Sequence, residues 1–179
     1  LQKAGIITSA KHFPGHGDTG VDSHFDIPVL NHSRARLDSL ELYPYKALIS
    51  NGLQGVMVAH LNLPALDTTK SLASTLSKPI VTGLLRDELK FQGLVFTDAM
   101  DMKGATKMFP EGTANVKAIL AGNDILETFV DVPAAFEAIK KALTNGEISQ
   151  EDIDSRVKRI LNAKAWAGLA HYSPIVVEN

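Results

Sequence analysis

The 179-residue sequence contains no cysteine. Disulfides, thiolate nucleophiles and cysteine-based metal sites are therefore excluded, while the redox compartment stays open. An excess of either charge is lacking too. Eighteen Lys and Arg face twenty Asp and Glu, a net charge of −2, so nothing draws the chain generally toward nucleic acid or anionic lipid. No uninterrupted apolar run approaches the ~20 residues that a membrane span needs. There is no low-complexity tract and no internal repeat. No signal peptide is visible, but the sequence opens on Leu1 rather than Met, so removal of an upstream segment stays open. What is present is a globular composition, 45% hydrophobic and 21% charged. It argues against disorder and suits one domain or part of a larger one.

Four short apolar runs read as strands: residues 5–10 (GIITSA, leading into Lys11, His12 and Phe13), 55–60 (GVMVAH), 93–97 (GLVFT) and 123–127 (NDILE). None alternates with polar residues, the pattern of strands covered on both faces of a parallel sheet. Helical periodicity spans 37–51, 77–90, 111–121, 133–145 and 149–167. Ser77 is a candidate N-cap with Pro79 in the first turn, Gly52, Gly122 and Gly146 mark helix ends, and Ser149 with Asp152 resembles a capping box. Strands alternating with helices predict an α/β architecture with about four parallel strands.

Two segments combine residue types that can carry chemistry. The first runs Lys11-His12-Phe13-Pro14-Gly15-His16-Gly17-Asp18-Thr19, followed by Asp22-Ser23-His24. Its glycines permit a tight turn around a ligand, and Lys11 and His12 follow a strand, where α/β barrels place active groups. In a bent loop, Asp22 can reach one imidazole nitrogen of His24 and leave the other for a substrate. A solvated polar loop with a structural His fits these residue types equally well. In the second segment, GLVFTDAMDM, Asp98 closes an apolar strand. A carboxylate there is partly desolvated on rigid backbone, as a nucleophile or metal ligand requires, although Asp at such a turn is more often a helix N-cap. Asp101 reads as a cap or solvated residue. His60, closing GVMVAH, either lines a pocket or donates to a neighbouring loop.

The run 11–19 with Asp22-Ser23-His24 resembles the signature of family 3 glycoside hydrolases, in particular their β-N-acetylglucosaminidase (β-hexosaminidase) branch. GLVFTDAMDMKGA is similar to that family's nucleophile strand, and GNDILE with RVKRILNAKAWAGL is similar to the closing part of its barrel domain. The resemblance implies a (β/α)8 TIM-type barrel and retaining hydrolysis of terminal β-linked N-acetylhexosamine from peptidoglycan or chitin-derived fragments. By matched position, it implies Asp98 as nucleophile, His24 as general acid/base oriented by Asp22, and Lys11 and His12 as substrate-binding residues. It implies no cofactor and no metal. Relatives work in the bacterial cytoplasm or are exported, so the compartment is not fixed.

A complete barrel needs eight strands and about 250 residues. The motifs match only the C-terminal half, so residues 1–170 are expected to form a partial barrel domain and 171–179 a tail or the start of a linker. The first strands are expected on another polypeptide, from self-association, or missing, and the chain alone is expected to have weak or no activity. Besides the amino-sugar substrate, no nucleic-acid or membrane partner is expected. Three other readings stay open: a phosphorylase in which phosphate replaces water, an inactive sugar-binding fragment, and zinc held by His12, His16, Asp18 and His24.

Overall fold

A computed structural model of the protein describes residues 1–16, 19–20, 27–106, 109, 112–127 and 131–170. Three strands, β1 (Ser9–Phe13), β2 (Gly55–Val58) and β3 (Leu94–Thr97), form one parallel sheet in the order β1-β2-β3. β2 and β3 pair without a slip from Gly55↔Leu94 to Val58↔Thr97, whereas the β1–β2 register shifts between Ala10 and Phe13. The α/β class expected from the alternating pattern is what forms.

The expected fourth strand is a correction. Residues 123–127 lie beside β3 but contribute one parallel bridge, Phe96–Ile125. Backbone bonds from Asp124 N and Ile125 N to the Val95 carbonyl, and from Thr97 N to the Ile125 carbonyl, tie the segment down. At its start, side chains take over from a backbone ladder: Asp124 spends its carboxylate on the Val95 N–H and on two arginines. β1 is also displaced from its expected place. Ile6 and Ile7 suggest a strand over 5–10, but the strand runs from Ser9 to Phe13, its pairing with β2 slipping across Lys11 and His12. β2 is buried at three of its four positions, whereas Ser9 and Lys11 of β1 are exposed. β1 is the edge strand, with β2 as its partner among the described residues.

Helices cover the sheet. A short helix α1 (Arg34–Arg36), capped by the Ser33 hydroxyl, runs into a wide-turned stretch Leu37–Glu41 and then into α2 (Tyr43–Ser50). The sequence predicted one helix from residue 37. Pro44 has no N–H to donate, and the Leu42 N–H reaches back five residues to the Leu37 carbonyl. After β2 comes a π-type helix, Pro79–Glu88, at whose start Ser77 Oγ accepts from Ile80 N at 3.3 Å. After β3 come α3 (Lys103–Thr106), α4 (Thr113–Ala121), α5 (Val132–Thr144) and α6 (Gln150–Trp166). Gly122 ends α4 in a left-handed conformation, and the Ser149–Asp152 capping box opens α6 as the sequence predicted.

The main core joins Phe13, Val56, Val58, Leu42, Leu85 and Val95 with their neighbours. Each such side chain contributes about 1.5–3 kcal/mol when fully buried. Phe13 meets Tyr45 edge to face at 5.0 Å, fixing β1 to α2. A second cluster of charges clamps the amino end of β3. Arg86 donates to the Gly93 carbonyl at 2.6 Å and to Asp124 at 2.6 Å, and Arg159 reaches Asp124 at 2.7 Å. Arg156 ties α6 to the Asn123 and Ile119 carbonyls.

Candidate active site

Parallel strands deliver their carboxyl ends to one rim. Here the rim carries His12 from β1, His60 just beyond β2 and Asp98 just beyond β3. The sheet continues into it: Ala59 N donates to the Phe13 carbonyl at 2.9 Å and Asp98 N to the Val58 carbonyl at 3.0 Å. The backbone of Asp98 is therefore held by β2.

The Asp98 side chain is 18% exposed, buried enough to be held and open enough to be reached. Its Oδ1 accepts from Ala99 N at 2.9 Å. Its Oδ2 lies 3.7 Å from His12 Nε2, an electrostatic contact too long for a hydrogen bond. The next helix, α3, starts only at Lys103, so Asp98 does not fill the helix N-cap role that its residue type alone favoured. Asp101 is exposed, as expected of a solvated residue.

Burial lowers the pKa of His12, and the charges of Lys11 and His16 push the same way, against the upward pull of Asp98. The His16 ring stands edge-on to His12 at 5.7 Å. The Lys11–His12 and Phe13–Pro14 peptide bonds are both cis. Gly15, which follows, has φ +147°. A side chain there would bring its Cβ to 2.6 Å from Glu41 Cβ, so this glycine is required twice, by conformation and by space. A cleft of about 660 Å³ runs from Lys11, His12 and His16 past Arg36 and Glu41 to Leu40, Pro44 and Leu48 beside α2.

His60 is fully buried. Its Nε2 is 3.0 Å from the Ala99 carbonyl and its Nδ1 2.8 Å from Thr75 Oγ1, so it bonds to a neighbouring loop rather than lining the pocket. Burial lowers its pKa, opposed by the Ala99 carbonyl and by the charges of Asp98 and Asp101. Thr75 was not foreseen. It lies in a run of small polar residues, and its only signal was that several of them precede Pro79; Ser74, Thr75 and Ser77 all prove to be buried.

Of the residues singled out by sequence, the structure brings Lys11, His12 and Asp98 to one rim. Asp22 and His24, and with them Asp18, lie outside the described residues. Among the described residues, no group of three or more His, Asp or Glu is arranged to hold a metal ion.

A family model, the glycosyl hydrolase family 3 N-terminal domain, matches residues 1–163. The chain belongs to glycoside hydrolase family 3. This family 3 chain is 36% identical over 184 aligned residues to β-hexosaminidase A of Pseudoalteromonas piscicida, covering 92% of the chain and 31% of that relative. A solved family 3 β-N-acetylglucosaminidase from Paenibacillus sp. superposes with a TM-score of 0.92 at 40% identity, over 99% of this chain and 34% of that one. The β-glucoside phosphorylase BglX superposes with a TM-score of 0.89 at 32% identity, over 94% of this chain and 32% of that one. The family 3 chain thus spans about a third of the length of these relatives.

Proposed function

We propose that the chain supplies the nucleophile-bearing part of a retaining exo-β-N-acetylhexosaminidase acting on terminal β-linked N-acetylglucosamine in peptidoglycan or chitin-derived fragments. The observation that carries this reading is Asp98. Its carboxylate stands at the carboxyl end of a buried strand, with Oδ1 tethered by the Ala99 N–H and Oδ2 turned toward the His12 ring. The names of the relatives, a β-hexosaminidase and a β-N-acetylglucosaminidase, support the choice of sugar.

In the first step Asp98 Oδ2 bonds to the anomeric carbon as the bond to the leaving oxygen breaks. The leaving oxygen takes a proton from His24, which Asp22 orients. Tethering one oxygen orients the other for attack beside positive charge developing on the sugar. His12 and Lys11 hold sugar hydroxyls on the β1 side. In the second step water loses a proton to His24 and displaces Asp98. Most retaining glycosidases use a second carboxylate as acid/base. An imidazole there carries no negative charge, so phosphate could replace water, a second reading favoured by the likeness to BglX.

The barrel reading belongs to the same proposal. Residues 1–170 belong to the C-terminal part of a (β/α)8 barrel, and further strands complete it against the β1 edge; the tail expected at residues 171–179 lies outside the described residues. The exposed face of β1 and the adjoining cleft support that completion. The test is turnover of an aryl N-acetyl-β-glucosaminide by the complete polypeptide. Asp98→Asn is expected to lower kcat by about 10⁴-fold or more, the scale seen when a nucleophile is removed, with the melting temperature little changed. Release of a sugar 1-phosphate only when phosphate is present would select the second reading.

A further inference from the structure

His60 takes no part in the mechanism above, yet it is buried in a polar network. The Ala99 carbonyl can only accept, so Nε2 must carry the proton that joins them at 3.0 Å. Burial favours a neutral ring, so Nδ1 is an acceptor and the Thr75 hydroxyl donates to it at 2.8 Å. Thr75 Oγ1 carries one proton and also lies 2.6 Å from the Ala59 carbonyl, which receives the Ser74 hydroxyl at 2.5 Å, so the ring and that carbonyl share the Thr75 donor. Ser74 Oγ accepts from Leu61 N at 3.2 Å. The Ala99 carbonyl, which can only accept, is what sets the tautomer of the neutral ring.

What that tautomer holds is the residue that holds Asp98. The Ala99 N–H donates to Asp98 Oδ1, and the next amide, Met100 N, donates to the Glu127 carbonyl at 2.7 Å. Ala99 is pinned on the carbonyl side by a fully buried imidazole and passes that constraint to the carboxylate through its own amide. We propose that His60 is a positioning residue for Asp98, acting through the Ala99 backbone, with Thr75 steadying the ring at its other nitrogen. This rests on Asp98 being the nucleophile for its kinetic consequence, though not for its structural one.

The test uses the complete polypeptide carrying His60→Leu, His60→Gln or Thr75→Val. Glutamine keeps an N–H able to reach the Ala99 carbonyl; leucine does not. On an aryl N-acetyl-β-glucosaminide, His60→Leu is expected to lower kcat by about 10²-fold, the cost of a misplaced reacting group, with KM nearly unchanged. His60→Gln is expected to restore most of the loss, and Thr75→Val to lose about tenfold. A structural readout runs beside it: the Ala99 amide proton resonance, shifted by its carboxylate partner, should move in His60→Leu and return in His60→Gln. Should the wild type fail to turn over the glycoside, the functional reading falls and the amide readout decides the positioning role by itself. Should His60→Leu not fold, Thr75→Val decides. An unmoved Ala99 amide, or a glutamine variant as impaired as the leucine one, would overturn the proposal.

Discussion

β1 and β3 are neighbours of the same central strand, yet they are held in different ways. β3 is clamped at its amino end by Arg86, Asp124 and Arg159 and at its carboxyl end by backbone bonds to β2 and to residues 125–127. β1 is bound by β2 on one side and by the Phe13–Tyr45 contact, and it exposes Ser9 and Lys11. The contrast fits the roles proposed for the two strands. A nucleophile gains from rigid placement, because a displacement of about 1 Å can cost about 10²-fold in rate. Groups that bind hydroxyls must face solvent until the substrate arrives. The rigid strand carries Asp98 and the open one carries Lys11 and His12.

The contrast breaks most sharply at Asp124. Its side chain is fully buried between Arg86 and Arg159 and also accepts from Val95 N. Asp124→Ala leaves the largely buried Arg86 without its counter-charge and is expected to cost about 3–5 kcal/mol, read from the denaturant midpoint. A change of like size on β1, such as Lys11→Ala, should leave that midpoint almost unmoved. A smaller effect tests the open side. Gly15→Ala forces a strained φ and a clash with Glu41, for roughly 1–3 kcal/mol. Because Gly15 sits beside His12, substrate affinity should weaken more than the midpoint falls.

The smallest effect is a pH dependence. Burial lowers the pKa of both His12 and His60 from the ordinary 6.5. The unfolded chain therefore binds more protons than the folded one between the lowered values and 6.5, and stability rises with pH through that window. The protein should be most stable above that window and lose stability as pH falls through it. His60→Gln, which has no proton to take up, should make the fall of melting temperature on acidification shallower. An unchanged slope would mean that His60 is protonated as readily folded as unfolded.

Much of this was legible in the sequence, for stated reasons. β2 and β3 are covered on both faces, so their apolar runs marked them directly. Helix ends were marked by Gly122 and by the Ser149–Asp152 pair. β1 was misplaced because an edge strand can include polar residues such as Lys11 and His12, here at a slip in the pairing, and apolar runs do not report that. The fourth strand was over-read because NDILE has a strand's composition while Asp124 uses its carboxylate as a staple. Asp98 was visible from its position after GLVFT. Its tether through Ala99 to His60 and Thr75 was not, since it joins residues 15 to 39 positions apart and local periodicity carries no such information.

The central claim is that Asp98 forms the bond to the sugar. Reaction of the complete polypeptide with a 5-fluoro N-acetylglucosaminyl fluoride, followed by proteolysis and mass spectrometry, reads this directly. One added sugar is expected on the peptide containing GLVFTDAM, located at Asp98 and absent in Asp98→Asn. A sugar carried by any other residue, or turnover with none trapped and full activity in Asp98→Asn, would contradict it.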